Sequence, residues 1–408
     1  MSDTIALVVE KPAAGGRMIA RLDGRVVLVA GAIPGERVTA RITRAGKGVL
    51  FADTLSVDEP SPDRRPVDAD PLCGGCLYSH IGYRRQLAIK SDVIADAFGR
   101  IGRVSLPGTV RVAPSPEDGY RMRARLHVRG SRYGFFREGT HDVCDARATR
   151  QLLPASCDTL DRLAAALRSI AAGGDQGVRE IELSENVDAS GRAVALDMPS
   201  AMDVRLVRRL SETEGLTGFG PDATVTDTLA VAGMPLVLRR GVLAFFQGNR
   251  YLLQDLAAHV LDQLPPSASV VDLYAGAGLF AVGAAACRNA RVKAVEGDRV
   301  SAADLLVNAA AHDIEAFHES VEAFVAAARR APDALIVDPP RTGMSRDALD
   351  GVIRLRSPRV IYVSCDVATL ARDSRRLLDA GYAIARADAF DMFPNTPHVE
   401  TVVVFDRT

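Results

Sequence analysis

A cysteine and a glutamate near the end of the chain have the residue types of a nucleophile and a base. Cys365 follows, after Ser364, the apolar residues 360–363, which predict a buried strand. Open α/β sheets place their chemistry at the carboxyl ends of such strands. Glu400 lies in a second apolar run, residues 399–405, which also predicts a strand. We therefore predict a nucleophilic cysteine and a proton-accepting carboxylate at the edges of one sheet.

A glycine-rich turn predicts a site for a nucleotide-like cofactor. Gly276 and Gly278 follow an apolar run, and Glu296 ends the next predicted strand, where a carboxylate can accept hydrogen bonds from ribose hydroxyls. The spacing from Gly276 to Ala281 also satisfies the dinucleotide fingerprint, so a dinucleotide-dependent oxidoreductase is an alternative. Asp272, four residues before the first glycine, is typical of strands that bind S-adenosylmethionine and favours the methyl donor.

A further predicted strand ends in Asp338-Pro339-Pro340-Arg341. Prolines after an apolar strand fix an extended exit and keep the backbone close to any ligand. An aromatic residue after the prolines would indicate methylation of an amino group, because the aromatic ring stacks on the base. Arg341 stands in that place and disfavours this chemistry.

Arginines alternate with apolar residues at residues 120–129. The alternation puts Arg121, Arg123, Arg125 and Arg129 on one face of a predicted strand. Guanidinium groups in a row repel each other unless an anion lies between them, and a phosphate backbone is such an anion. We predict that this face binds nucleic acid; a merely solvated face is the alternative.

The elements that position these residues follow from periodicity. Apolar runs at 269–274, 292–297, 333–337 and 359–364 alternate with helical patterns, which implies an α/β fold with a doubly wound parallel sheet. Short runs between turn signals at residues 4–57 predict a small all-β barrel. Residues 60–71, rich in Pro and Asp, read as a linker.

Size and charge fit a multidomain protein of the cytoplasm. The chain has 408 residues, 48% of them hydrophobic, so we expect two or three domains. The formal net charge of −1 argues against a general nucleic-acid coat, but residues 11–47 carry a basic surplus. We expect no secretory signal, no membrane segment and no disulfides, since six scattered cysteines are typical of a reduced cytosol. We also expect a monomer.

Several motifs resemble the RNA uracil-C5-methyltransferase family, particularly its 23S ribosomal RNA branch. They are SCD at 364–366, ATLARDS at 368–374, AGY at 380–382, DMFP at 391–394 and HVE at 398–400. Residues 15–38 resemble the TRAM domain, an OB-like RNA-binding module. The resemblance implies a TRAM barrel at 1–58, an α+β domain at 59–240 and a Rossmann-like class I methyltransferase domain at 241–408.

The resemblance implies methylation of C5 of a uridine in RNA with S-adenosylmethionine, in 23S ribosomal RNA or alternatively in transfer RNA. Cys365 would add to C6 of uracil, and Glu400 would remove the C5 proton. The positions that match cofactor contacts of the family are Gln247, Tyr274, Glu296 and Asp338. Leu279 and Ser320 stand where the family has asparagines.

Family members with a 4Fe-4S cluster hold it by four cysteines. Cys73 and Cys76 match two of them, whereas Val67 and Thr149 occupy the other two positions. Two further cysteines lie nearby but out of register, Cys144 and Cys157. We therefore predict no intact cluster and a reduced Cys73–Cys76 pair in a tight Gly-Gly turn.

Overall fold

The structure is a computed structural model that describes residues 4–67, 70–130, 132–170, 177–199 and 204–408. These residues form a closed barrel, a six-stranded sheet, a two-stranded hairpin and an eight-stranded sheet. Residues 68 and 69 of the predicted linker lie outside the described residues.

The N-terminal strands close into a five-stranded barrel. They are β1 (Thr4–Pro12), β2 (Met18–Leu22), β3 (Arg25–Ala30), β4 (Arg37–Ala45) and β5 (Val49–Glu59). Their order around the barrel is β1-β2-β3-β5-β4. Alternate residues point inward, so that Val27, Val29 and Ala40 are fully buried while Arg25 and Arg41 face solvent. The predicted all-β barrel is confirmed.

The middle of the chain builds a six-stranded sheet. Its elements begin with helix α1 (Tyr83–Ala97), a π-helical turn (Phe98–Gly102), β6 (Val112–Ala113), β7 (Arg123–Arg129), β8 (Arg132–Phe136), β9 (Val143–Asp145) and a 3-10 turn (Arg147–Thr149). They continue with α2 (Pro154–Ile170), β10 (Glu180–Glu185), β11 (Arg192–Asp197), α3 (Val204–Ser211) and β12 (Gly218–Phe219). The strand order is β12-β11-β10-β7-β8-β9, so the arginine-bearing β7 lies in the interior of the sheet. A hairpin of β13 (Thr224–Val231) and β14 (Met234–Gly241) follows.

Strands and helices then alternate to the end of the chain. The helices are α4 (Leu253–Asp262), α5 (Leu279–Arg288), α6 (Arg299–Ala309), α7 (Val321–Ala327), α8 (Arg346–Leu355) and α9 (Val367–Asp379). The strands are β15 (Ser269–Leu273), β16 (Arg291–Glu296), β17 (Ile314–His318), β18 (Ala334–Val337), β19 (Arg359–Ser364), β20 (Tyr382–Phe390) and β21 (Glu400–Arg407). The predicted α/β architecture is confirmed.

The eight-stranded sheet is mixed rather than parallel throughout. Its order is β17-β16-β15-β18-β19-β21-β20-β6, and β21 runs antiparallel to both of its neighbours. The four strands predicted to be parallel, β15, β16, β18 and β19, are parallel to one another. The last strand, β21, returns from β20 through a loop and inserts between β19 and β20. Both faces are covered, so β18 and most of β19 are completely buried. No helix among the described residues is long and apolar enough to cross a membrane.

Candidate active site

Strand pairing brings Cys365 and Glu400 to the same end of the sheet. Ser364 at the end of β19 pairs with Thr401 of β21 as the last pair of this antiparallel ladder, and Cys365 and Glu400 are the neighbours of these two residues in the sequence. Both side chains line one cavity. The predicted nucleophile and base, 35 residues apart in the sequence, therefore meet at one end of the sheet.

The helix after Cys365 fixes the position of the thiol. Asp366 caps α9, because its Oδ1 accepts hydrogen bonds from the backbone N–H groups of Ala368 at 3.1 Å and Thr369 at 2.8 Å. Such a cap stabilises a helix by about 1 kcal/mol. Cys365 is thus held between a buried strand and the positive end of a helix dipole, a setting that favours a thiolate.

Burial opposes ionisation of Cys365. It raises the pKa of the thiol to about 12, and the nearby Glu400 acts in the same direction. Arg341 lowers this pKa through its charge and through a hydrogen bond with the thiol. The thiol is therefore protonated at neutral pH in the absence of ligands, and Arg341 is the side chain that favours its thiolate.

Glu400 is buried with a free proton-accepting atom. The residue is 2% exposed, and its Oε1 has no hydrogen-bond partner among the described residues. Burial raises the pKa of Glu400 well above its ordinary value, Asp338 raises it further, and Arg341 opposes both. A carboxyl group with a raised pKa is a stronger base than one in water, which suits the removal of a carbon-bound proton.

The glycine turn forms the other half of the site. Gly276 donates its backbone N–H to Glu296 Oε2 at 2.7 Å, so the carboxylate lies directly beside the turn. Gly278 has φ of 95°, a value that favours glycine, and precedes α5. Tyr274 has φ of 63°, which is uncommon for a residue with a side chain and typical of functional sites.

Two further acidic residues lie under the turn. Gln247 Nε2 donates a hydrogen bond to Asp338 Oδ2 at 3.1 Å, and burial raises the pKa of Asp338 to about 7. Asp272 is fully buried, and burial together with Asp338 raises its pKa well above the ordinary value. The raised pKa values mean that the protein alone stabilises the negative charge of these carboxylates poorly, and a cationic ligand would stabilise it.

One cavity of about 780 Å³ is lined by most of these groups, although Gly278 and Asp272 are not part of its lining. Its lining contains the predicted catalytic and cofactor residues Cys365, Glu400, Gln247, Tyr274, Gly276, Glu296 and Asp338, together with Arg341. Ser320 also lines it and caps α7 through Ala323, whereas Leu279 is buried in the core. The structure thus brings the two halves of the predicted site together.

The arginines of the predicted nucleic-acid face have different surroundings. Arg121, Arg123 and Arg125 line the cavity. Arg129 is exposed, with its guanidinium 5.7 Å from the centre of the Phe136 ring. Arg121 lies two residues before β7, and the alternation that continues from it through β7 agrees with the prediction that the four share one face. Three of the four line the cavity.

Glutamates partly neutralise this face. Glu182 of β10 is in register with Arg125 and forms ion pairs with Arg125 and, at 3.7 Å, with Arg123. Glu180 lies 3.5 Å from Arg125. For these two arginines the neighbouring strand thus supplies the anions that relieve the repulsion, and nucleic-acid binding by this face stays a prediction.

Sequence reasoning missed the residues that brace the loop before Glu400. Lys90 of α1 forms a fully buried ion pair with Asp391. Gln86 and Asn395 exchange two hydrogen bonds, at 2.9 and 3.0 Å. No sequence signal identifies these contacts, since the partners lie about 300 residues apart in the chain.

The prediction of a reduced Cys73–Cys76 pair was wrong. Cys73 forms a disulfide with Cys144, with Cα atoms 5.9 Å apart, although 71 residues separate them. Cys76 is a free, buried thiol whose Sγ lies 3.2 Å from the carbonyl oxygen of Asp70. The general expectation of reduced cysteines fails for the same reason: only the fold brings Cys144 to the turn.

The residues at this turn do not fit a 4Fe-4S cluster. Such a cluster needs four thiolates, but Cys73 is bound to Cys144 and the buried Thr149 donates its hydroxyl to the carbonyl oxygen of Ala146 at 2.7 Å. Within the described ranges, no group of three or more His, Cys, Asp or Glu side chains is arranged to hold a metal ion.

Comparison with known proteins places this site in a family. The family model for tRNA (uracil-5-)-methyltransferase matches residues 185–408, and the TRAM domain model matches residues 3–55. Curated relatives include 23S rRNA (uracil(1939)-C(5))-methyltransferases from Pseudomonas putida and Methylococcus capsulatus. The first is 33% identical over 98% of this chain and 93% of its own length, and the second is 30% identical over 100% and 98%.

A solved structure shares the fold. The tRNA (uracil-54, C5)-methyltransferase of Pyrococcus abyssi, crystallised with S-adenosyl-L-homocysteine, matches with a TM-score of 0.76 over 98% of this chain and 99% of that one, at 23% identity. These findings confirm the predicted fold, the TRAM domain and the resemblance to uracil-C5-methyltransferases.

Proposed function

The chain belongs to the family of S-adenosylmethionine-dependent RNA uracil-C5-methyltransferases, and from this premise we propose that it methylates one uridine of 23S ribosomal RNA with Cys365 as nucleophile and Glu400 as base. The observation that carries the residue assignment is that Cys365 and Glu400, next to the last pair of the β19–β21 ladder, line the same cavity as the glycine turn.

Cys365 starts the reaction because C5 of uracil is a poor nucleophile. Addition of the thiolate to C6 turns the base into an enolate, whose C5 is nucleophilic. Arg341 favours the thiolate, since its positive charge and its hydrogen bond both lower the pKa of Cys365. Negative charge that develops at O4 is stabilised by the polar groups of the cavity, Gln247 and Arg341 among them.

Glu400 ends the reaction. S-adenosylmethionine supplies the methyl group that C5 takes up. Methylated C5 still bears its hydrogen, and Glu400 removes this proton through its free Oε1 so that the thiolate leaves C6 and the double bond re-forms. This leaves Cys365 as the thiolate with which the reaction began and Glu400 protonated, and loss of that proton to solvent restores the Glu400 carboxylate.

Five residues of the cavity are suited to hold the methyl donor. Glu296 lies beside the glycine turn and can accept hydrogen bonds from ribose hydroxyls. Asp338, fixed by Gln247, offers a carboxylate to the cationic part of the ligand. Tyr274 and Gly276 complete the wall between these carboxylates.

The substrate assignment rests on similarity along the full chain. The relatives that align end to end at 30–33% identity carry names of 23S rRNA enzymes, whereas the tRNA enzyme of Pyrococcus abyssi is a match of fold. The target uridine has to leave its stack to reach Cys365, so a loop or locally opened RNA is the expected substrate. The barrel and β7 would hold the flanking backbone.

Different parts of the chain have different roles in this reaction. Residues 1–58 and 59–240 bind RNA and residues 241–408 carry out the chemistry, in a monomeric protein of the cytoplasm. The order of the barrel, the six-stranded sheet and the eight-stranded sheet supports these boundaries, although β6 of the middle region joins the last sheet.

Methylation of purified RNA tests the function. The protein should transfer labelled methyl from S-adenosylmethionine to a 23S rRNA transcript, and nuclease digestion should locate one 5-methyluridine. Transfer to tRNA transcripts instead would establish the alternative substrate. Stabilisation by S-adenosylhomocysteine at 100 times its Kd should amount to about 2.7 kcal/mol, and stabilisation by NAD alone would point to an oxidoreductase.

A further inference from the structure

The turn that carries Cys73 and Cys76 has no part in the chemistry described above, yet a short chain of hydrogen bonds connects it to the active-site cavity. Gln151, which is 1% exposed, donates from Nε2 to the carbonyl oxygen of Gly75 at 2.7 Å. Its Oε1 accepts a hydrogen bond from Nη1 of Arg121 at 2.8 Å. Arg121 in turn lines the cavity that contains Cys365.

The contact between the turn and Gln151 requires glycine. A Cβ atom at Gly75 would lie 1.9 Å from Nε2 of Gln151, well inside van der Waals contact. The turn itself is fixed by the disulfide from Cys73 to Cys144 and by a hydrogen bond from the N–H of Gly74 to the carbonyl oxygen of Phe136 at 3.0 Å. A fixed turn therefore supports the amide of Gln151 where it meets Arg121.

Arg121 has neutral hydrogen-bond partners, unlike the two arginines that follow it on β7. Arg123 and Arg125 are paired with Glu182, whereas Arg121 donates to the carbonyl oxygen of Arg123 at 2.9 Å and to the neutral Gln151. Among the described residues no carboxylate forms an ion pair with it. An amide fixes the direction of a guanidinium without cancelling its charge, so Arg121 keeps its full positive charge for an anion in the cavity.

We propose that Gln151, supported by the Cys73–Cys76 turn, is a positioning residue that aims Arg121 at the RNA backbone next to the target uridine. This inference rests on the proposed function, because the anion is taken to be a phosphate of the substrate RNA. It gives the turn a role in RNA binding that needs no metal cluster.

A double-mutant cycle tests the coupling of Gln151 to Arg121. Gln151→Met removes the three hydrogen bonds of the amide, with Gly75, Arg121 and the hydroxyl of Tyr120, at similar volume, and Arg121→Met removes the charge. Each variant should raise the Kd for the 23S rRNA fragment about tenfold, since hydrogen bonds to charged groups are worth that much. The double variant should also bind about tenfold more weakly than wild type, because Gln151 acts only through Arg121. The Kd for S-adenosylhomocysteine should stay unchanged in all three.

A second variant tests the same contact in case the Gln151→Met protein does not fold. Gly75→Ala keeps Gln151 but pushes its amide aside, and it should weaken RNA binding in the same way and only where Arg121 is present. Ser156→Ala is the matched control, since it removes a buried hydrogen bond to Glu185 in the same region without contact to Arg121. It should leave the Kd for RNA at the wild-type value.

The inference is overturned if the losses multiply to about a hundredfold in the double variant, or if Gln151→Met and Gly75→Ala bind RNA like wild type. Methylation by the wild-type protein tests the proposed function separately. A wild type that methylates no RNA refutes that function, whereas additive losses in a wild type that methylates normally refute only the role of Gln151.

Discussion

Replacement of Glu400 by glutamine should separate methyl transfer from product release. The amide is nearly isosteric with the carboxyl group, so it fits the buried site at the start of β21 and leaves Cys365 in place. It cannot accept a proton at neutral pH. The Glu400→Gln protein should therefore form the bond from Cys365 to C6 and methylate C5, but it should not release the RNA.

The size of the effect follows from the role of the residue. A positioned general base contributes about 10²–10⁴-fold to a rate, so turnover should fall by that factor, or by about 2.7–5.5 kcal/mol in activation free energy. The fold should not suffer. The pKa of Glu400 is higher in the folded protein than its ordinary value of 4.5. Above pH 4.5 Glu400 therefore ionises more readily in the unfolded chain, and this disfavours the native state. The glutamine variant should thus be at least as stable as wild type at about pH 8, and this advantage should disappear as the pH falls below 4.5.

A denaturing gel measures the trapped species. Labelled RNA incubated with Glu400→Gln and S-adenosylmethionine should migrate as a denaturant-resistant complex, and the RNA in it should carry the methyl group. Wild-type enzyme with a 5-fluorouridine substrate should give the same band, since no proton can be removed there. Cys365→Ala should give none. Normal turnover by Glu400→Gln, or a variant that neither turns over nor traps RNA, would refute the assignment of Glu400.

Three further outcomes are expected from the electrostatics and the cysteines. Arg341→Met should slow alkylation of Cys365 by iodoacetamide at a fixed pH, because the loss of Arg341 raises the thiol pKa; an unchanged rate would contradict its role. The affinity for S-adenosylmethionine should weaken as the pH falls below about 7, where Asp338 becomes protonated, and calorimetry should find this dependence absent in Asp338→Asn. The denatured, unreduced protein should titrate four free thiols per chain with negligible iron and sulfide, and four irons per chain would refute our account of the Cys73 turn.

Features that depend on neighbouring residues were predictable from the sequence. Short runs between regularly spaced turn signals predicted the barrel, and the alternation of apolar runs with helical patterns predicted the α/β domain, because both patterns depend on residues that are close in the sequence. The same local rules identified Cys365 after a buried strand and the turn from Gly276 to Gly278. Chemical type and local spacing were sufficient for each of these.

Features that depend on strand pairing were decided by the tertiary structure. The meeting of Cys365 and Glu400 at one end of the sheet comes from the insertion of β21 between β19 and β20. The pairing of Arg125 with Glu182 comes from the register of β7 against β10. The disulfide of Cys73 likewise joins segments 71 residues apart. A sequence pattern describes how one segment presents its side chains, whereas the partner that each side chain meets depends on how distant segments pack, because that choice is made by burial and hydrogen bonding over the whole chain.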